Sequence, residues 1–154
     1  MSDNNSSRIG AVLNGFNLDH IKAGNVLNII KVLELTRNKY IVGVGLNLHS
    51  DKLGHKDLLK VEDLVLNEEQ LRLISVFALG ATYSVIQDGA VVSKKTISLA
   101  SEIDNLIICP NFRCVSHHAN SRFTSQIRYN GEARLKCHYC DNEYKLEEIK
   151  SYKI

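Results

Sequence analysis

The sequence predicts an α+β chain, and three observations lead there. Two stretches carry apolar residues at helical spacing, several short β-rich runs surround them, and four cysteines stand as two close pairs in the last third. The first two describe a sheet domain with helices, and the third a smaller unit organised around sulfur.

Taken in order, "RIGAVLNGFNLDHI" (8–21) alternates imperfectly and holds two glycines, which predicts a strand with a bend or bulge near Gly15. "AGNVLNIIKVLEL" (23–35) sets Val26, Ile29, Ile30 and Leu33 at helical spacing, with Asn28, Lys31 and Glu34 toward water, so it reads as an amphipathic helix. "KYIVGVGLNL" (39–48) is too short and too β-branched for another helix. It reads as a strand, followed by a polar loop "LHSDKLGHKD" (48–57). "DLLKVEDL" (57–64) is a further strand, paired with the first, with Lys60 on the face opposite Leu59 and Val61.

In "NEEQLRLISVFAL" (67–79), Asn67 and Gln70 are spaced as a capping box, Glu68 and Glu69 suit the helix N-terminus, and Leu71, Ile74 and Phe77 or Ala78 form the buried stripe. "GATYSVIQDGAVVSKKTI" (80–97) holds two β runs around Asp88-Gly89, a type I′ hairpin signal. The order strand, helix, strand, strand, helix, strand, strand predicts an antiparallel or mixed sheet, of ferredoxin-like type, with two helices on one face. After a connector "SLASEIDNL" (98–106) comes a small antiparallel β unit, with "RFTSQIRYN" (122–130) as a strand ending in a turn at Asn130-Gly131. The domains are 1–97 and 98–154.

Composition narrows the function. Among 154 residues, 44% are hydrophobic and 23% charged, as in ordinary globular proteins. A net charge of +2 predicts no broad footprint on nucleic acid or membrane. The start "MSDNNSSRIG" lacks the apolar core of a signal peptide, and no run approaches the roughly 20 apolar residues of a membrane span, so a cytoplasmic chain is expected. In that reducing compartment paired cysteines point to metal or redox chemistry rather than disulfides.

Cys109 and Cys114 in "CPNFRC" and Cys137 and Cys140 in "LKCHYC" form two knuckles that together offer four thiolates, the donor set of a closed structural zinc site. Iron–sulfur clusters and redox pairs use similar motifs, but one structural Zn2+ per chain is the better reading for a small unit short of core. His117 and His118 are close enough in sequence to replace a sulfur, although four thiolates already complete the shell.

Two other classes compete. Arg113, Arg122, Arg128, Arg134 and Lys136, interleaved with Phe112, Phe123, Tyr129 and Tyr139, are compatible with a zinc-ribbon nucleic-acid binder. An enzyme ranks last, since no catalytic triad, paired-carboxylate site or open metal site is evident in the sequence. Taken singly, Lys56, Lys60 and Lys94 are ordinary solvated charges, and "GVGLNL" lacks the lysine and helix start of a phosphate loop.

The motifs "CPNFRC", "SHH" and "LKCHYC", with "LDHI", "GLNL", "GHKDLLKVE" and "VVSKK" upstream, resemble the regulatory chain family of aspartate carbamoyltransferase over nearly the whole chain. The resemblance implies a non-catalytic subunit of pyrimidine biosynthesis. Its domain 1–97 would dimerise with a second copy and bind nucleotide effectors, CTP or ATP, and its domain 98–154 would hold trimers of the catalytic chain through a structural zinc. No membrane or nucleic-acid partner is implied.

Carried over residue by residue, the resemblance implies a nucleotide site with Asp19, His20, Lys60 and Lys94 as polar contacts and Lys56 near the phosphates. Val12, Leu58, Ile86 and Val91 would line the base and ribose. The chain departs from the family at Gly10 in place of an acidic residue, at Ser84, a site position usually asparagine, and at Gly89 in place of tyrosine. In the metal unit Asn111 matches an interface position, and Arg113, also at the interface, replaces an asparagine.

Overall fold

A computed structural model describes residues 10–154, which fall into two compact units divided between Ser98 and Leu99. The first unit runs β1 (Gly15–Lys22), α1 (Val26–Val32), β2 (Val42–Ser50), β3 (Gly54–Glu62), α2 (Glu68–Ile74), β4 (Thr82–Gln87) and β5 (Ala90–Thr96). Its strands form one antiparallel sheet in the order β2-β3-β1-β4-β5. The first four of these are the split β-α-β arrangement that the element order predicts, extended by one strand through the β4–β5 hairpin.

Register gives the sheet two chemically different faces. Phe16 opposes Val61 and Val85, while Leu18 opposes Leu59 and Tyr83. Phe16, Leu18, Leu59, Val61 and Tyr83 are buried, as are Val26 and Ile29 of α1 and Leu71 and Ile74 of α2. This is the helix-covered face: the Tyr83 hydroxyl accepts from the Leu66 N–H just before α2, at 2.9 Å. Residues of opposite parity, among them Asn17, Lys60 and Ser84, point the other way.

The helices are fixed by different means. The Asn67 side chain accepts from the Gln70 N–H at 2.8 Å and Gln70 returns the bond to the Asn67 N–H at 3.0 Å, the capping box that the sequence predicts. Asn25 caps nothing with its side chain, which instead reaches the Phe77 carbonyl. The start of α1 is held by the buried Asp57, whose Oδ2 accepts from the N–H of Gly24 and Val26 and whose Oδ1 accepts from the Asn47 N–H.

Several boundaries differ from the sequence reading. The predicted first strand starts only at Gly15; its residues 8 and 9 lie outside the described residues, and 10–14 are not strand. Gly15 marks a close approach, since a Cβ there would stand 2.0 Å from the Val61 carbonyl oxygen. The bulge falls instead between Leu18 and Ile21, where His20 has φ +59°. The helix predicted over 23–35 is shorter and gives way to turns after Val32. Most of the loop predicted over 48–57 is ladder: His49 pairs with His55 and Ser50 with Gly54, so only 51–53 turn. These polar residues extend two strands because pairing satisfies their backbones whatever their side chains. The predicted Asp88-Gly89 turn has φ +50° and +79°, both positive as a type I′ turn requires.

The second unit holds an antiparallel sheet of β6 (Glu102–Asp104), β7 (Arg122–Ile127), β8 (Ala133–Cys137) and β9 (Glu143–Lys145), adjacent in that order. The predicted connector thus contributes a strand. Ile107 bridges to Tyr152, and backbone bonds Ile108–Ser151 and Leu106–Lys153 tie this segment down immediately before the first cysteine. Ile103, Ile107, Phe123, Leu135 and Ile149 form its small core. Among the described residues no helix is long and apolar enough to cross a membrane.

Candidate functional site

The four cysteines converge. All four sulfurs lie within 4.8 Å of one another, and Cys109 is 3.7 Å from Cys140 and Cys114 3.7 Å from Cys137. Thiolates bound to zinc at about 2.3 Å in a tetrahedron stand roughly 3.8 Å apart, so the cage fits that ion. Disulfides require about 2.05 Å, and all four thiols are free. Cys109, Cys114 and Cys137 are buried, and Cys140 is half-buried.

The two knuckles aim backbone donors at the sulfurs. Cys109 accepts from the Asn111 N–H, Cys137 from those of Tyr139 and Cys140, and Cys140 from that of Asn142. Burial pushes the Cys109 thiol up to about 12, and hydrogen bonds offset only part of this. Burial acts against Cys140 as well, but the Asn142 N–H and other hydrogen bonds bring it to about 7. Ser116 Oγ donates to Cys114 Sγ at 3.0 Å. A bound dication would hold all four as thiolates and supply the unit with a central cross-link.

Neither histidine is needed in the shell. His117 Nε2 lies 3.0 Å from the carbonyl oxygens of both Cys109 and Asn111, and because both can only accept, Nε2 carries the proton and donates to both. His117 therefore braces the first knuckle, a role its sequence position did not reveal. Asn111 is also engaged locally: its Oδ1 accepts from the Arg113 N–H, and its side chain bonds Cys140. Beside it, Phe112 is 81% exposed, with the Arg113 guanidinium 5.7 Å from its ring centroid.

The basic residues that kept a nucleic-acid binder in view are largely neutralised. Arg122 pairs with Asp104, Arg128 with Glu143, Arg134 with Glu132 and Lys136 with Asp141. Phe123 is wholly buried and unavailable for stacking on bases.

In the first unit, antiparallel register brings together residues that are far apart in sequence. Lys60 on β3 lies beside Asn17 on β1, Asn17 beside Ser84 on β4, and Ser84 beside Lys94 on β5. Toward one end of this row, Ile86 pairs with Val91 and with Gly15. Toward the other, Lys56 Nζ stands 3.1 Å from Asp19 Oδ1, the lysine only 1% exposed. Leu58 has the parity of Lys56 and Lys60, and Val12 is buried in the segment leading to β1. Lys60 donates to the Gly10 carbonyl at 2.9 Å; burial lowers its pKa, an effect the Asp19 carboxylate partly offsets. His20 lies beyond Asp19 on the rim of a cavity of about 460 Å³ that Lys22, Lys52 and His55 also line. Lys94 is exposed on the outer strand.

A ferredoxin-like sheet unit carrying a cationic row, followed by a small unit closed around four thiolates, defines a two-domain protein with a structural metal centre. The family described as the aspartate carbamoyltransferase regulatory chain, allosteric domain, matches residues 7–98, and its metal binding domain matches residues 101–150. Over 150 residues the chain is 40% identical to the aspartate carbamoyltransferase regulatory chain of Tolumonas auensis, covering 97% of each chain. It is 35% identical to that of Vibrio parahaemolyticus over 97% of this chain and 98% of the relative, and 37% identical to that of Escherichia coli over 94% and 95%. The chain belongs to the aspartate carbamoyltransferase regulatory chain family, whose members are non-catalytic subunits in pyrimidine synthesis. The four-cysteine cluster lies within the matched metal-binding domain and suits one structural zinc ion.

Proposed function

We propose that the N-terminal unit binds a nucleoside triphosphate effector on the sheet face opposite its helices, and that the metal unit joins this regulatory chain to the catalytic chain. The observation that carries the first part is the register row Lys60–Asn17–Ser84–Lys94, flanked by the Asp19–Lys56 pair. Lys94, Lys56 and His20 would meet the phosphates, Asp19 and Lys60 the ribose or base, and Ile86, Val91, Leu58 and Val12 the flat face of the base. The first unit would also pair with a second copy of itself.

Cys109, Cys114, Cys137 and Cys140 are the proposed zinc ligands. Their ion would act at one remove, by shaping the "CPNFRC" loop whose Asn111, Phe112 and Arg113 meet the catalytic chain. Aromatic residues and arginine are both enriched at protein interfaces relative to the rest of the surface, and this loop exposes Phe112 beside Arg113. Effector control requires that the nucleotide bind one quaternary state more tightly than the other, with a coupling on the order of 1–3 kcal/mol.

Calorimetric titration of CTP and ATP into the zinc-loaded chain, with Lys94→Ala as comparison, tests the effector site. Saturable binding that weakens in the variant while assembly persists is the expected result. Loss of assembly with unchanged binding would show that Lys94 serves an interface instead.

A further inference from the structure

Asn17 occupies the centre of β1, between Lys60 and Ser84, on the proposed effector face. Its side-chain carbonyl, Oδ1, is shut off from solvent and receives no hydrogen bond among the described residues. Buried acceptors are nearly always satisfied, because desolvation without a partner is unfavourable. The neighbouring ammonium of Lys60 donates to the Gly10 carbonyl.

Among the described residues, the fold makes no use of this acceptor. Asparagine is disfavoured in strands, and on this mid-strand position an aliphatic side chain would remove the orphaned acceptor. The residue makes sense as one half of an interaction that a ligand completes.

Its place along the sheet says which part of the ligand. Apolar Ile86 and Val91 lie toward one end of the face, and the Asp19–Lys56 pair lies toward the other, with Lys94 at the side. Phosphates drawn to the cations leave the nucleoside over Asn17. We infer that Asn17 Oδ1 accepts a hydrogen bond from a donor on the nucleoside of the effector, either an exocyclic amine of the base or a ribose hydroxyl, and so helps select among nucleotides. This inference rests on the effector-site reading above. The ligand has to uncover Oδ1 beside Lys60, which pairs with Asn17 and is itself bonded to the Gly10 carbonyl.

The test replaces Asn17 by leucine, of similar branching, and by threonine, which suits a strand and keeps an acceptor. Unfolding midpoints are measured on the zinc-loaded full chains, together with affinities for CTP, 2′-deoxy-CTP, UTP and inorganic tripolyphosphate. Asn17→Leu is expected to raise the midpoint yet weaken CTP about tenfold, with tripolyphosphate unchanged and Asn17→Thr intermediate. If the parent already binds UTP weakly and the variants do not change that, the donor is the exocyclic amine; the same pattern with 2′-deoxy-CTP identifies the ribose hydroxyl. CTP binding as tight in both variants as in the parent overturns the role of Asn17 and leaves the effector site standing. A parent chain that binds neither CTP nor tripolyphosphate removes the effector site and this inference with it.

Discussion

Lys56 reaches from β3 to β1 and sets its ammonium 3.1 Å from Asp19 Oδ1, with the lysine 1% exposed and the aspartate 27%. A cation buried that deeply needs its counter-charge more than the carboxylate, still partly in water, needs the cation. The two truncations should therefore differ. Asp19→Ala should cost about 1–3 kcal/mol of stability, and adding Lys56→Met should recover much of it. Urea unfolding of the two single variants and the double variant measures this. Additive losses would show that the pair is not coupled.

Asp57 joins three pieces of backbone: the residues before α1, the first residue of α1, and the bulge of β2 at Asn47. Because α1 has no side-chain cap of its own, Asp57→Ala should cost about 3 kcal/mol and Asp57→Asn less, since the amide oxygen keeps one acceptor. Hydrogen exchange should show α1 protection falling before that of α2, which keeps its own capping box.

Removing the metal should act on one unit only. Chelation, or Cys137→Ser, should unfold residues 99–154 and leave the sheet of the first unit intact, which separate backbone NMR signals from the two units would reveal. His117→Ala removes two bonds to the first knuckle without removing a ligand, so it should lower zinc affinity about 10–100-fold at unchanged stoichiometry. A drop in zinc content to zero, with full refolding on adding cadmium, would instead mark His117 as a ligand.

Lys60 carries a pH signature. Burial holds it below the ordinary 10.5, so between its own value and 10.5 the folded chain binds fewer protons than the unfolded chain. Its contribution to stability is complete above 10.5 and is lost as pH falls through its lowered value. A nucleotide that offers Lys60 an acceptor should raise that value, so binding in alkaline buffer should take up protons. Calorimetry in buffers of different ionisation enthalpy reads the uptake directly, and Lys60→Met should abolish it.

The metal site was legible early because its ligands come in short local motifs: two knuckles in sequence become two knuckles in space. The capping box of α2 and the Asp88-Gly89 turn were legible for the same reason, each being settled within four residues. The row of the proposed effector site was legible only through the family resemblance. Lys60 and Lys94 belong to strands separated by a helix, and only the order β3-β1-β4-β5 brings them into one row. Asn17 and Asp57 passed unnoticed in sequence, and His117 was considered only as a possible metal ligand, because a single polar residue has no pattern and what each one faces is set by the folded chain.

The sequence alone therefore determined the class of the fold, the periodicity of its elements and the four-thiolate donor set, since these depend on interactions between near neighbours. Tertiary structure decided which cations share a face, which carboxylate holds α1 and, among the described residues, which buried side-chain carbonyl has no donor. Strand pairing made those choices, because antiparallel register alone fixes which side chains of remote segments stand side by side.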